Sequence, residues 1–184
     1  MTDVGHRALV AYERDSDRYD LHYSHWGAHR WQLATAITPT QPYGQPTTPE
    51  NVTTATVDPT PLATDCSFGE VLESLDFQQY EAFYLVTEAF AVEPWLVCWF
   101  GVPGVDENRP GDGGLVAVDP EAPRSDGAAL REQIRDAKET VCTLVARDRI
   151  DSATARAALA STVQSWGREG RTVRLGPTAS TAVE

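Results

Sequence analysis

Residues 6–26 read HRALVAYERDSDRYDLHYSHW, two apolar runs on either side of a charged turn. Ala8 to Tyr12 is short and apolar, with a β-branched and an aromatic member, which suits a buried strand. Arg14-Asp15-Ser16-Asp17-Arg18 is polar and rich in turn formers. The run after it alternates. Tyr19, Leu21, Tyr23 and His25 fall on one face, and Asp20, His22, Ser24 and Trp26 on the other. Together these segments predict a β-hairpin. Pairing Asp15 with Arg18 sets Tyr12 opposite Leu21, Val10 opposite Tyr23 and Ala8 opposite His25, apolar against apolar. The same pairing sets Glu13 opposite Asp20, a like-charge contact, so a slipped register competes with it.

Downstream, Gly27 to Ile37 opens either a short helix or a loop. Residues 38–65 are rich in Thr and Pro, and Pro39, Pro42, Pro46, Pro49, Pro59 and Pro61 exclude a helix interior. A connection this long is uncommon in a compact domain, so it either packs over the surface in extended form or is a mobile insertion. Ser67-Phe68-Gly69-Glu70 is a capping box and predicts a short helix to about Leu75, with Val71, Leu72 and Leu75 inward. YEAFYLVTEAF (80–90) and PWLVCWF (94–100) are apolar on both faces, as central strands are, and residues 115–118 add another short strand. Ser125 or Asp126 should cap a long helix ending near Arg147. Its apolar stripe is Leu130, Ile134, Ala137, Val141, Leu144 and Val145, with Arg131, Glu132, Arg135, Asp136 and Glu139 solvated outside it. Asp151 caps a second helix to about Arg168, with Ala155, Leu159, Val163 and Trp166 inward. Gly170 is placed to stop it. Residues 172–175 suit a last edge strand. The fold expected is α+β: an antiparallel sheet of about five strands with a C-terminal helical hairpin packed on one face. Residues 1–176 form a single domain in this reading, and 177–184 a frayed tail.

The chain carries 27 acidic and 15 basic residues, a formal net charge of -12, and Lys138 is its one lysine. No basic stripe is visible, which argues against nucleic acid as a partner. No apolar run is long enough for a membrane span. The N-terminus lacks a basic segment followed by a long apolar one, which argues against a signal peptide and for a cytoplasmic protein. An acidic, lysine-poor surface suits solubility in molar salt, where the Debye length of about 3 Å screens self-repulsion. High genomic GC is the competing cause of arginine in place of lysine. Cys66, Cys98 and Cys142 form no CxxC motif, and the last two read as small core residues.

The stretches Gly5 to Glu13 (GHRALVAYE) and Leu21 to Gly27 (LHYSHWG) resemble a family of uncharacterised proteins confined to halophilic archaea. Glu81 to Val86 (EAFYLV) is similar to a second block of that family. The resemblance spans most of the chain. It implies a salt-rich cytoplasm and no assigned activity.

Histidine supplies the candidate chemistry. His22, His25 and His29 fall within eight residues. Residues three apart on a regular strand face opposite ways, so His22 and His25 cannot share a metal without a bulge. His6, His25 and His29 make the better trio for a zinc-like divalent ion, with Glu88 as an additional carboxylate. Against this stands the plainer reading of histidines hydrogen-bonded at a sheet end. Ser24 shares a face with His22 only, and no GxSxG elbow exists. Cys66, before the capped helix, is a candidate for a lowered thiol pKa. Residues 106–113 hold carboxylates and glycines without EF-hand spacing and read as a salt-adapted surface loop. Trp95 and Trp99 read as core, whereas Trp26 and Trp31, with His22, read as a binding surface. Without a catalytic motif, the function expected is a non-enzymatic intracellular binding or interaction module. It needs no cofactor and takes a protein partner or a second copy of itself. The alternative is a metal-binding protein or metal-assisted hydrolase.

Overall fold

The hairpin forms one residue out of the register that apolar matching suggests. In the computed structural model, which describes residues 6–15, 17–44 and 55–180, β1 (Ala8–Glu13) and β2 (Tyr19–Ser24) pair antiparallel. Tyr12 faces Asp20, Val10 faces His22 and Ala8 faces Ser24. Arg14 N–H donates to Arg18 O, and Asp17 takes a φ of 61°. A left-handed residue at the end of a longer turn shifts pairing in this way. Charge explains the preference. Glu13 now faces Tyr19 instead of Asp20. The Asp20 carboxylate accepts from Arg14 Nε at 2.6 Å and from the Asp65 N–H at 3.1 Å.

Among the described residues the sheet has seven strands, not five, and is mixed. Its order is β3 (Ala63–Cys66), β2, β1, β4 (Ala82–Val86), β5 (Val92–Trp99), β6 (Gly113–Ala117) and β7 (Val173–Leu175). All neighbours are antiparallel except β1 and β4, which run parallel. The N-terminal hairpin and the β4–β5–β6 run each form from sequence-adjacent strands. They join through a long crossover, as parallel neighbours must. The described parts of the Thr/Pro segment pack closely. Ala55 and Val57 are buried, Asp58 N–H donates to Tyr23 O, and residues 63–66 supply β3 at the sheet edge. Asn51-Val52-Thr53 matches a glycosylation sequon in sequence and lies outside the described residues.

Each sheet face has its own core. After the short α1 (Leu33–Ala36), α2 (Phe68–Ser74) covers one face: Leu9, Ala11, Leu21, Phe83, Trp95, Val97 and Leu115 pack with Val71, Leu75 and Phe77, on and just after α2. The capping box at Ser67 and Glu70 forms both of its bonds. Ala8, Val10, Ala82, Tyr84, Leu96, Cys98 and Val116 pack on the opposite side, beneath α3 (Pro123–Ala146) and α4 (Ser152–Arg168). Asp151 caps α4 through the Thr154 N–H, and Ala155, Leu159, Val163 and Trp166 are all buried. In α3, Leu130 and Val141 are buried while Leu144 is exposed. That helix starts earlier than its expected cap, with Pro123 in its first turn and no side-chain cap at Ala122. Asp126 instead accepts from Asp119 N–H and forms a two-pronged pair with Arg171 at 2.7 and 3.0 Å. Residues 177–180, expected to fray, form the short helix α5 (Pro177–Ser180) with Ala179 buried.

Candidate functional site

At the end of the sheet where β1 and β4 begin and β5 finishes, α3 stands off the strands and leaves a cleft of about 590 Å³. Its floor is apolar and includes Phe77, Leu96, Val97, Cys98 and Trp99. Its wall is the α3 face carrying Arg131, Ile134, Arg135, Lys138 and Cys142. Residues spaced three and four apart share one side of a helix, which aligns these side chains. A second cleft of about 510 Å³ adjoins it and shares His6, Arg131 and Arg135 with the first. It adds His29, Arg30, Trp31 and Arg124. Both volumes lie within the range of about 300–1,000 Å³ typical of small-molecule sites.

The two cations deepest in this wall are held in matching ways. Arg131 places its guanidinium carbon 4.8 Å from the Trp31 ring centroid and donates to Ala28 O at 3.1 Å. Lys138 places Nζ 4.3 Å from the Trp99 ring centroid and donates to Trp99 O. Each ring in turn packs on a glycine. A methyl group on Gly127 would sit 2.1 Å from Trp31 Nε1, and one on Gly101 at 2.1 Å from Trp99 Cζ2. Among the described residues, neither cation has a carboxylate within 4 Å. Burial pulls the Lys138 amine down to about 8. Burial, then the like charges of His6, Arg30, Arg131 and Arg124, lowers the His29 pKa.

The backbone at the rim is unusual. Arg30 and Trp31 are consecutive and have φ values of 51° and 57°. For an L-residue that conformation costs about 1–2 kcal/mol, and for a bulky one it marks a constraint imposed by its surroundings. The strain turns the Trp31 ring inward, against Tyr84 at 6.1 Å between centroids and over Gly127. Tyr84 OH donates to Gly27 O at 2.7 Å and fixes the start of this segment.

The histidines divide. His6 and His29 lie with ring centroids 5.2 Å apart, and His6 Nδ1 is 2.9 Å from Glu81 Oε2. His25 packs elsewhere, 5.1 Å from the Trp26 ring and 3.0 Å from Tyr23 OH. Among the described residues, no group of three or more His, Cys, Asp or Glu side chains is placed to hold a metal ion. Of the expected binding surface, Trp31 is only 2% exposed and belongs to the core. His22 is 5% exposed, with Nδ1 2.8 Å from Asp58 O. Trp26 remains partly exposed beside His6. Ser24 donates to Thr56 O at 2.6 Å. The Cys66 thiol pKa is raised by burial and by Glu70, the reverse of the activation its helix start suggests.

The acidic loop is also corrected. Asp106 and Asp112 are buried. Asp106 meets Arg156 of α4 at 2.5 Å and accepts from Val102 N–H, and Arg156 reaches Asp112 at 3.4 Å. That network anchors the loop to the helix.

Residue types alone did not single out Arg131 and Lys138, because both flank a clean apolar stripe on α3. The available signal was Lys138 itself, the single lysine, two helical turns from an arginine.

No helix of the described residues is long and apolar enough to cross a membrane. No curated protein and no solved structure matches the chain. A family model does match, over residues 4–55 and 49–174, which together take in most of the sequence. The chain therefore belongs to the family of unknown function DUF6735.

Proposed function

We propose that this protein is a non-enzymatic binding module whose ligand surface is the cleft beneath α3. One observation carries the reading: two partly buried cations, Arg131 and Lys138, face an apolar cleft with no carboxylate within 4 Å among the described residues. Buried charges in proteins are ordinarily paired, so a charge left open at a cavity wall suits an incoming group. The strained Arg30–Trp31 backbone supports it, since strain persists where surroundings enforce it and clusters at binding sites. A partner at the hairpin end has less support, because Trp31 is in the core and His22 is bonded to Asp58 O. The acidic, lysine-poor composition supports an intracellular, salt-adapted setting for the module.

The test is amide chemical-shift mapping with a panel of small molecules of varied charge. Perturbations should centre on His6, Glu81, Trp99, Arg131 and Lys138, with each binder recovered chemically unchanged. Perturbations centred on the hairpin turn, or conversion of a binder, would overturn the reading.

A further inference from the structure

The geometry points to a small amphipathic anion as the ligand of this cleft: an apolar body bearing one carboxylate or phosphate group, seated with its acid group along Arg131, Arg135 and Lys138. The inference rests on the cleft being a ligand site and adds the chemistry of what enters it.

Charge complementarity is the first argument. The chain has a formal charge of -12, yet Arg30, Arg124, Arg131, Arg135 and Lys138 gather with the His6 and His29 imidazoles at one pair of adjoining clefts, and outnumber the three carboxylates there, Glu81, Glu132 and Glu139. Elsewhere, partly buried arginines are matched by aspartates: Arg156 by Asp106 and Asp112, and Arg171 by Asp126. With 27 carboxylates available, Arg131 and Lys138 have carbonyl and indole partners instead. Those partners orient an ammonium or guanidinium group without neutralising it. Lys138 has three donors and Arg131 five, so both retain capacity for an anion. Charge-assisted bonds to such a group are about twice as strong as neutral ones.

The second argument is the floor. Tyr80, Trp99, Ile134 and Cys142 line the cleft and stay partly exposed, a surface that inorganic phosphate alone would leave uncovered. Burying apolar area there adds about 25 cal/mol per Å². A ligand using both halves needs an apolar body and a charged end. The Glu81 carboxylate, held by His6, and Glu139 line the same cleft and disfavour a second acid group on the ligand.

The experiment is isothermal titration of the full chain with 2-naphthoate, 2-naphthyl phosphate, the uncharged 2-naphthamide and inorganic phosphate. At least one of the two naphthyl acids should bind about tenfold or more tightly than both the amide and inorganic phosphate, a difference of about 1.4 kcal/mol. The tighter acid identifies the head group. Arg131→Gln and Lys138→Met should each weaken the acid about tenfold more than they weaken the amide. The ranking in the unaltered protein stands as a test even if a variant folds poorly. An amide as tight as both acids would overturn the anion while leaving the cleft a binding site. Inorganic phosphate as tight as the naphthyl acids would overturn the apolar half. Failure of all four to bind, with shift mapping centred elsewhere, would overturn the binding reading as well.

Discussion

Arg156 on α4 and Arg131 on α3 are both withdrawn from water, and the chain treats them in opposite ways. Arg156, 16% exposed, is held by two buried aspartates from one loop. Arg131 and Lys138 lie against tryptophan rings and backbone carbonyls. The first arrangement is closed: the charges cancel and a loop is fixed to a helix. The second keeps its positive charge facing a cavity. Structure alone needs only the first kind, and the proposed ligand site is built on the second.

Breaking the closed pair should give the largest effect. Asp106→Ala leaves Arg156 partly uncompensated and Val102 N–H without its acceptor. Denaturant melts should show a loss of about 3–5 kcal/mol. Arg131→Gln should cost far less, since it removes a charge that, among the described residues, has no carboxylate within 4 Å to abandon. Equal losses in the two variants would erase the distinction.

Salt should separate the two regions next. At about 0.05 M the net charge repels across the surface, and near 3 M it is screened. We expect the melting temperature to rise across 0.05–3 M KCl by about 4–8 °C, corresponding to roughly 2 kcal/mol for a domain of this size. Affinity of the cleft for an acid should fall over the same range, because Arg135 and Arg30 at its rim are exposed and are screened too. A flat or falling melting temperature would show that the acidic composition is not a salt adaptation.

Gly127→Ala sharpens the comparison at the cleft. In an open helix the change gains about 1 kcal/mol. Here the new methyl group meets the Trp31 indole, and overpacking of about 1–3 kcal/mol should win. The expected result is a net loss in melts together with weaker acid binding, as the ring supporting Arg131 is displaced.

Lys138→Met should have the smallest effect, and of opposite sign: a gain of about 1 kcal/mol, because an uncompensated charge gives way to an apolar side chain of similar length. Its pH signature follows. The groups facing the amine are Cys98 on β5, Cys142 on α3, and Asp106 and Asp112 in the loop. Folding lowers its pKa from 10.5 to about 8. Between those values the unfolded chain holds the proton and the folded chain does not. Stability contributed by this group therefore rises with pH across that window. Lys138→Met should remove the rise in melts recorded from pH 7.5 to 10.5.

What the sequence revealed was local. The capping box at Ser67, the Asp151 cap and the α4 stripe each lie within a few residues and form as read. The hairpin register was decided by the turn and by Glu13 avoiding Asp20, which outweighed apolar matching. The parallel β1–β4 pairing joins residues more than seventy positions apart and leaves no periodic mark. At the site, His6 and His29 do meet, but their neighbours are arginines instead of His25, because β2 carries His25 toward Tyr23 and Trp26. Arg131 looked solvated by its place outside the stripe. Only the tertiary approach of the segment around Trp31 withdraws it from water.

One lysine means one lysine signal. With ¹³C-labelled lysine, the Lys138 side chain can be followed through a pH titration without overlap, alone and with saturating 2-naphthoate or 2-naphthyl phosphate. The predicted midpoint is about 8 in the free protein. It should climb toward the ordinary lysine value when the acid binds, since a nearby negative charge favours the ammonium form. A free-protein midpoint already near 10.4, or one that stays in place under saturating acid, would contradict a buried cation awaiting an anion.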